Sequence, residues 1–304
     1  MSDLVCSGWL TVDDIVLEDG TCHRGVQGGG ALYSAVGAQI WAGSVGVHAP
    51  AGKPHFARSR SEIAARGLDV SGIACGEGKG LELWMLHESE VHKQQIRRLG
   101  SSHPEEMDAV RGPLPDAYRR AHGIHIAPQG PASSLSALGA MRRPGRVMTM
   151  DILADAMIDA SRYADLAYLG GLDAFLPSEA EIFRIWNPAG VEDWVAQTAL
   201  TTDCLIVAKV GASGSILAEP RTGRLVSVPA LQVTVADATG AGDAYCGGFL
   251  AGLVQGMPAV DCAAMGTVSA SFVVEAVGAL ATGRPSVDER DDRFARVMDK
   301  IVSL

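Results

Sequence analysis

The chain has 304 residues, of which 47% are hydrophobic, and it carries a formal net charge of −10. A chain of this length and composition buries a large core, which predicts one large domain or two modest ones. Its Lys and Arg residues are scattered along an acidic chain, so the sequence excludes a basic surface for nucleic acid and favours a small-molecule partner.

No apolar run approaches the ~20 residues that cross a bilayer, and no basic leader precedes an apolar segment near residue 1. We therefore expect a cytoplasmic protein without a membrane partner. The six cysteines are widely spaced and form no Cys-x-x-Cys pair, which favours reduced thiols over disulfides or zinc.

The first predicted elements are extended. Residues 4–8 are typical of a short buried strand, and residues 11–17 of a strand rich in β-branched side chains. A turn at residues 18–20 leads back through residues 21–26, which predicts a β-hairpin. Asp13 interrupts the second strand, either as a polar group on a solvent-facing edge or as a carboxylate that binds substrate hydroxyls.

Three glycines at residues 28–30 precede a predicted apolar helix at 31–42. Glycines at the head of a helix let a ligand approach the backbone closely, although a flexible hinge uses the same residues. After a strand at 45–49 and a helix at 54–66, the segments 81–86 and 91–96 predict a second hairpin. The two hairpins are expected to pair as a small auxiliary sheet that forms a lid.

From residue 104 onward, strands alternate with helices. The predicted strands are 124–127, 147–150, 205–210, 216–218 and 225–228, and the predicted helices are 134–141, 154–163, 179–186, 262–277 and 291–302. This alternation predicts an α/β fold with a doubly wound, mostly parallel sheet and helices on both faces. Asp151 directly follows a strand, a position typical both of ligand-facing residues and of helix caps.

The glycine-rich turn at Gly240-Ala241-Gly242-Asp243 lies between a short apolar segment and an apolar helix. Backbone N–H groups at a helix N-terminus have no partner within the helix, so they attract anions such as phosphate. Asp243 would repel such an anion. It is therefore either an N-terminal cap or the acceptor of a proton from a group that attacks the phosphate.

The segment 237–243, Asp-Ala-Thr-Gly-Ala-Gly-Asp, is followed by Gly247-Gly248-Phe249. It resembles the C-terminal signature Asp-Thr-x-Gly-Ala-Gly-Asp of the phosphofructokinase B family of ribokinase-like carbohydrate kinases. Gly8 with Asp13, the pair Gly28-Gly29 and the turn at 67–70 are similar to further family motifs. The resemblance covers most of the chain. It implies one ribokinase-like domain, residues 1–304, with a lid formed by strands at about 11–26 and 81–96.

The family resemblance also implies an activity, namely the ATP-dependent phosphorylation of a hydroxyl on a small sugar, polyol or nucleoside. Asp243 would be the general base, and the backbone N–H groups of Gly240, Ala241 and Gly242 would form the anion hole for the transferred phosphoryl group. The other implied site residues are Asp13, Gly28, Gly29 and Tyr33 for the substrate, Lys209, Gly211, Gly214 and Thr239 for ATP, Glu181 for Mg²⁺, and the carbonyl groups of Asp237 and Thr239 for a monovalent cation such as K⁺.

Two residues depart from the family pattern. Ser178 replaces the Asn of the Asn-x-x-Glu motif that ends at Glu181, and Tyr33 replaces an Asn that follows the glycine pair. An aromatic ring removes an amide donor and acceptor and can stack on a ring instead, which disfavours ribose itself as the substrate. The alternatives are a kinase specific for nucleosides and a ligand-binding member of the fold that has lost catalysis.

Two further expectations concern other folds and assembly. A dinucleotide-binding dehydrogenase is excluded because no strand leads into Gly-x-Gly-x-x-Gly with an acidic residue about 20 positions later. Lid strands with exposed edges favour pairing with a second subunit, so we expect a homodimer.

Overall fold

The computed structural model describes residues 3–88, 93–154 and 159–304. Two predicted segments lie partly outside these residues. They are the turn of the second hairpin, at residues 89–92, and the first half of the predicted helix 154–163, at residues 155–158.

The strands alternate with helices along most of the chain. In chain order the strands are β1 (Leu4–Ser7), β2 (Thr11–Val16), β3 (Cys22–Gly28), β4 (Val45–Gly52), β5 (Asp69–Gly76), β6 (Leu81–His87), β7 (Lys93–Arg97), β8 (Gly123–Ile126), β9 (Val147–Met150), β10 (Ala174–Phe175), β11 (Leu205–Lys209), β12 (Ser215–Ala218), β13 (Leu225–Val228) and β14 (Val302–Ser303). The helices are α1 (Gly30–Gln39), α2 (Phe56–Ala65), α3 (Pro104–Arg111), α4 (Pro131–Met141), α5 (Glu179–Trp186), α6 (Val191–Thr201), α7 (Ala241–Val254), α8 (Ala259–Val273) and α9 (Val287–Met298).

Ten of the described strands form one large sheet in the order β14-β13-β12-β11-β10-β9-β8-β1-β4-β5. The pairs from β5 to β11 are parallel, and β12 to β14 extend the sheet with antiparallel pairs. Side chains alternate between its two faces, so Leu4 and Cys6 join one core cluster while Val5 joins another. Helices α1, α7 and α8 cover the first face, and α4 and α6 cover the second. The predicted doubly wound sheet is confirmed.

The remaining four described strands form a separate small sheet in the order β3-β2-β6-β7. Its two hairpins, β2–β3 and β6–β7, are joined by parallel pairing of β2 with β6. The register of β2 with β3 shifts between Asp13 and Ile15. Such a bulge re-aims neighbouring side chains, and here Asp13 is fully buried while Ile15 packs in the small sheet's own apolar cluster.

Several predicted boundaries were wrong. The segment 69–76 pairs with β4 as the edge strand β5, where we predicted a turn at 67–70 and no strand. Residues 160–163 form a short 3₁₀ turn rather than the end of an α-helix. The last helix begins four residues before its predicted start at residue 291, because the side chain of Ser286 accepts a hydrogen bond from the N–H of Glu289 and caps it there. Val302 lies in strand β14 instead of this helix.

Within the described residues, none of the helices has both the length and the apolar character that a bilayer crossing requires.

Helices α1 and α7 cross at glycines, and this contact carries a stability prediction. A Cβ atom on Gly247 would overlap the carbonyl oxygen of Ser34, and one on Gly37 would overlap that of Ala244. We expect Gly247→Ala to destabilise the protein by about 2–3 kcal/mol in urea unfolding, because overpacking forces two backbones apart.

The control is Gly139→Ala in α4, where a new Cβ meets open space. Its exposed helical position predicts a gain of about 0.5–1 kcal/mol, and equal effects of the two changes would contradict the crossing argument.

His125 on β8 makes stability depend on pH. It is fully buried with Nδ1 2.9 Å from Thr149 Oγ1, and burial, assisted by the positive charge of Lys209, lowers its pKa from 6.5 to about 3. Below pH 6.5 the unfolded chain gains a proton that the native state does not bind, so stability falls as the pH drops. We expect His125→Gln to remove up to about 1.4 kcal/mol per pH unit from this acid slope.

The matched control is His122→Gln, because His122 is exposed and lies 3.8 Å from Asp3. Unfolding midpoints measured between pH 4 and 7 should show the same dependence of stability on pH in this variant as in the wild type. If His125→Gln also leaves that dependence unchanged, His125 binds a proton in the native state as readily as in the unfolded chain.

Candidate active site

The loops that follow the parallel strands meet at one edge of the large sheet, where ligands of doubly wound sheets bind. Gly8 follows β1, and a Cβ atom on it would lie 2.9 Å from the Cβ of Ala127, which follows β8. A Cβ on Gly30 would lie 2.9 Å both from Pro128 Cδ and from Asp243 Oδ1. The structure therefore brings the N-terminal glycines and the glycine-rich turn to one place.

The glycine-rich turn forms the N-terminus of α7. Gly240 has a left-handed backbone with φ 77° and precedes the helix, so Ala241, Gly242 and Asp243 are its first three residues. The N–H of Ala241 donates a long hydrogen bond of 3.4 Å to the carbonyl of Ala238, while the carbonyl of Gly240 accepts from Ala244 at 2.8 Å. The N–H groups of this first turn are thus placed as a helix-terminal anion site.

Asp13 and the glycine triplet form a wall beside Asp243. The hydroxyl of Thr11 donates to Asp13 Oδ2 at 2.9 Å, and a Cβ on Gly28 would overlap that same oxygen. Gly29 has φ 97°, and its Cβ would lie 2.8 Å from the Cα of Leu10. Asp13 is 0% exposed, so it is not a solvent-facing edge residue. Because these glycines have no side chain, the carboxylates of Asp13 and Asp243 can lie against the backbone at Gly28 and Gly30. A flexible hinge would not require such close contacts.

Tyr33 lies beneath the turn instead of facing the cleft. It is 2% exposed, and a Cβ on Gly240 would overlap its ring. Burial raises the pKa of its phenol well above the usual range, and the carboxylates of Asp237, Asp13 and Asp243 raise it further. The ring therefore supports the turn from below, and its face is not open for stacking on a substrate ring as we expected.

Lys209 brings a positive charge under the same turn. It ends β11, forms an ion pair with Asp151 and lies 3.4 Å (Nζ) from the position that a Cβ on Gly242 would occupy. Burial alone lowers the pKa of this ammonium group, but the attraction of Asp151 outweighs it and the pKa is raised. Asp151, which our predictions left open between cap and site, is the partner of this cation.

Glu181 lies close to this ion pair. Its carboxylate accepts the N–H of Ser178 at 2.7 Å, and its own N–H donates to Ser178 Oγ at 3.3 Å, so the two residues form a capping box at the start of α5. Burial, and then the negative charge of Asp151, raise the pKa of Glu181 to about 8. A cation that binds nearby would favour its charged form.

Gly211 and Gly214 form the tight connection between β11 and β12. Both have positive φ, 59° and 99°, and the N–H of Val210 donates to the carbonyl of Gly214 at 2.9 Å. A Cβ on Gly214 would overlap the carbonyl of Val228, whereas one on Gly211 would meet open space. The hairpin itself therefore accounts for Gly214, whereas Gly211 lies in an open position.

Asp237 and Thr239 hold the start of the turn. Asp237 Oδ1 accepts the N–H of Thr239 at 2.8 Å, and both residues contact His87, the last residue of β6. His87 Nε2 lies 3.2 Å from Thr239 Oγ1 and 3.2 Å from Asp237 Oδ1. We did not predict a role for His87, and its place in the turn between the predicted segments 81–86 and 91–96 was the available signal.

Known proteins resemble this chain over most of its length. A model of the pfkB family carbohydrate kinases matches residues 11–286. A cytidine kinase from Thermococcus kodakarensis is 25% identical over 91% of this chain and 98% of its own length.

Two solved structures show the same fold. A Burkholderia thailandensis nucleoside kinase in complex with inosine superposes with a TM-score of 0.78 at 14% identity, covering 97% of this chain and 99% of that one. A putative Escherichia coli ribokinase II in complex with ATP and Mg²⁺ gives a TM-score of 0.73 at 16% identity, with 97% and 100% coverage.

Proposed function

This chain belongs to the pfkB family of carbohydrate kinases, and we propose that it transfers the γ-phosphoryl group of ATP to a hydroxyl of a nucleoside. The observation that carries the proposal is the position of Asp243. Its carboxylate lies against Gly30 on the acceptor side, while its backbone belongs to the anion-binding first turn of α7. A hydroxyl between this carboxylate and a phosphate would meet both groups that phosphoryl transfer needs.

Asp243 takes the proton of the acceptor hydroxyl as its oxygen attacks the γ-phosphorus, and ADP leaves on the opposite side. The N–H groups at Gly240, Ala241 and Gly242 stabilise the charge on the transferred group. A preorganised donor of this kind is worth about 3 kcal/mol in a water-excluded site. Asp13 accepts a hydrogen bond from another substrate hydroxyl, and Gly28 and Gly29 let that substrate approach the backbone.

Lys209 adds a fixed positive charge behind Gly242. Because phosphoryl transfer depends on charge stabilisation more than on covalent chemistry, a buried ammonium near the transferred group favours the transition state. Gly211 and Thr239 are proposed contacts of the nucleotide. Tyr33 is proposed to affect catalysis indirectly, by supporting the glycine-rich turn at Gly240.

The described residues fit a magnesium ion that is bound with the nucleotide. They contain no cluster of three His, Cys, Asp or Glu side chains able to hold a metal alone, and Mg²⁺ in such enzymes is held by phosphates, waters and one or two carboxylates. Glu181 is the carboxylate proposed to face its water shell. When bound, the ion would neutralise charge on the phosphates.

A monovalent cation such as K⁺ is proposed at the carbonyl groups of Asp237 and Thr239. Asp237 Oδ2 is buried, and among the described residues it has no hydrogen-bond partner. A buried carboxylate oxygen in that state is stabilised by a nearby positive charge. ADP release in K⁺ compared with tetramethylammonium tests this proposal.

A nucleoside is the proposed acceptor because the site has room beyond the reacting hydroxyl. A cavity of about 590 Å³ lies between the N-terminal turns of α3 and α4 and is lined by Asp108, Gly130 and Ser133. Pro128, whose Cδ lies 2.9 Å from the position of a Cβ on Gly30, precedes the lining residue Gly130 by two positions. Asp108 accepts the indole N–H of Trp9 at 2.6 Å and offers a carboxylate to hydrogen-bond donors of a base. The cytidine kinase relative supports the same substrate class.

The experiment is an ADP-release assay with nucleosides, pentoses, hexoses and polyols as acceptors. We expect nucleosides to give the highest kcat/KM. Preference for fructose or another free sugar would refute the nucleoside assignment but not the kinase. No ADP release with any acceptor, together with nucleoside binding in thermal-shift assays, would identify a ligand-binding protein without catalysis.

We also propose that the chain acts as one domain in which the small sheet serves as the lid, and that it forms a homodimer. The outer strands β3 and β7 leave backbone groups at the two edges of the small sheet, which favours pairing with another subunit. A monomeric mass in light scattering would contradict the dimer.

A further inference from the structure

His87 connects the small sheet to the catalytic turn directly. Its side chain is 9% exposed and that of Asp237 is 0% exposed, so the contact between them is shielded from water. Nε2 of His87 lies 3.2 Å from Asp237 Oδ1, an oxygen that only accepts hydrogen bonds. The same nitrogen lies within hydrogen-bond distance of Thr239 Oγ1.

The contacts of His87 act on the part of the turn that sets its shape. Asp237 Oδ1 also accepts the N–H of Thr239, and Thr239 immediately precedes Gly240, where the backbone turns into α7. A change in the position of Asp237 therefore moves the first N–H donors of the anion site.

A second, indirect contact links the small sheet to the turn. The cluster of Ile15, Leu83 and Met85 packs against Val277, and a Cβ on Gly278 would overlap Val26 of β3. The same loop begins near Val274, whose carbonyl accepts the N–H groups of Ala236 and Asp237 at 2.7 and 3.1 Å. The small sheet thus rests on the loop that holds the start of the turn.

We propose that His87 is a positioning residue that couples the small sheet to the catalytic turn, an inference that rests on the proposed kinase function. With the small sheet over the site, His87 Nε2 holds Asp237 and Thr239 in place, and the anion site takes its active shape. When the small sheet moves away to admit the acceptor, these contacts break. The chain thereby completes its anion site only after the acceptor is covered, which disfavours transfer of the phosphoryl group to water.

The test compares His87→Leu with His87→Gln, because Gln retains an N–H donor and Leu does not. For His87→Leu we expect kcat to fall about tenfold or more, as for a lost hydrogen bond to a charged group, with the KM for ATP little changed. ATP hydrolysis without acceptor should not fall in parallel. His87→Gln should recover most of kcat. The control His23→Leu makes the same change in β3, away from the turn.

Amide hydrogen exchange of the peptide 236–244, measured with the nucleosides of the ADP-release assay and without ATP, gives a readout that needs no phosphoryl transfer. We expect faster exchange in His87→Leu than in the wild type, His87→Gln and His23→Leu. Unchanged exchange and unchanged kcat in His87→Leu would overturn the proposal, and so would a defect that Gln fails to reverse. If no acceptor is phosphorylated, the kinase assignment fails. The hydrogen-exchange measurement then still decides whether His87 stabilises the turn at residues 236–244.

Discussion

Replacing Asp243 with Asn lowers kcat by about 10²- to 10⁴-fold in the expected result, because general-base catalysis contributes factors of this size. Asn keeps the size of the side chain and its contact with Gly30 but cannot take the proton of the acceptor hydroxyl. ATP binding should be retained, since the anion-binding N–H groups belong to the backbone. Initial rates of ADP release and calorimetric titration with ATP measure the two quantities separately.

The matched control is Asp261→Asn. Asp261 is the third residue of α8, as Asp243 is of α7, so both changes remove a negative charge from the first turn of a helix. Each loses the same interaction with the helix dipole, about 0.3–1 kcal/mol, but Asp261 lies at the far end of α7 from the site. An Asp243→Asn variant with kcat similar to that of Asp261→Asn would refute the general-base role.

Lys209→Met carries the second large expected effect. It removes the cation next to Gly242 and leaves the buried carboxylate of Asp151 without its ion-pair partner. We expect a loss of about 3–5 kcal/mol in stability, because an uncompensated buried charge is costly. Without the positive charge we also expect kcat to fall by at least about tenfold, as for other lost charge-stabilising groups. Denaturant unfolding and ADP release measure the two effects.

The double variant Lys209→Met/Asp151→Asn separates stability from catalysis. Removing both charges is often close to neutral for stability, so the double variant should unfold near the wild type. Its kcat should remain low, because the ammonium group is still missing. Recovery of kcat together with stability would show that Lys209 only balances Asp151.

Local sequence signals predicted the elements that depend on neighbouring residues. The capping box of Ser178 and Glu181 placed the start of α5 correctly, because both hydrogen bonds form within four residues. The same pattern at Ser286 and Glu289 marks the start of α9, and our prediction overlooked it. Strand β5 had no such signal, since the segment Asp-Val-Ser-Gly-Ile-Ala-Cys-Gly lacks a regular apolar period and pairs through its backbone.

The sequence predicted only those residues of the candidate site that belong to one local motif. The glycine-rich turn and the N-terminal glycines were located from their own residues, and the structure places them together. Contacts between distant segments were not predictable. His87 and Asp237 are 150 positions apart, and Tyr33 packs under Gly240 although the sequence suggested a role in the cleft.

The glycine wall of the site limits how new substrate specificities can arise. At Gly28, Gly29, Gly30 and Gly240 the space for a side chain is already filled by Asp13, by backbone, by Asp243 or by Tyr33. Random mutagenesis should therefore recover no active variants at these positions. Natural or laboratory evolution toward another acceptor would instead change the side chains that line the cavity beyond Pro128, beginning with Asp108 and Ser133, while the wall itself stays invariant.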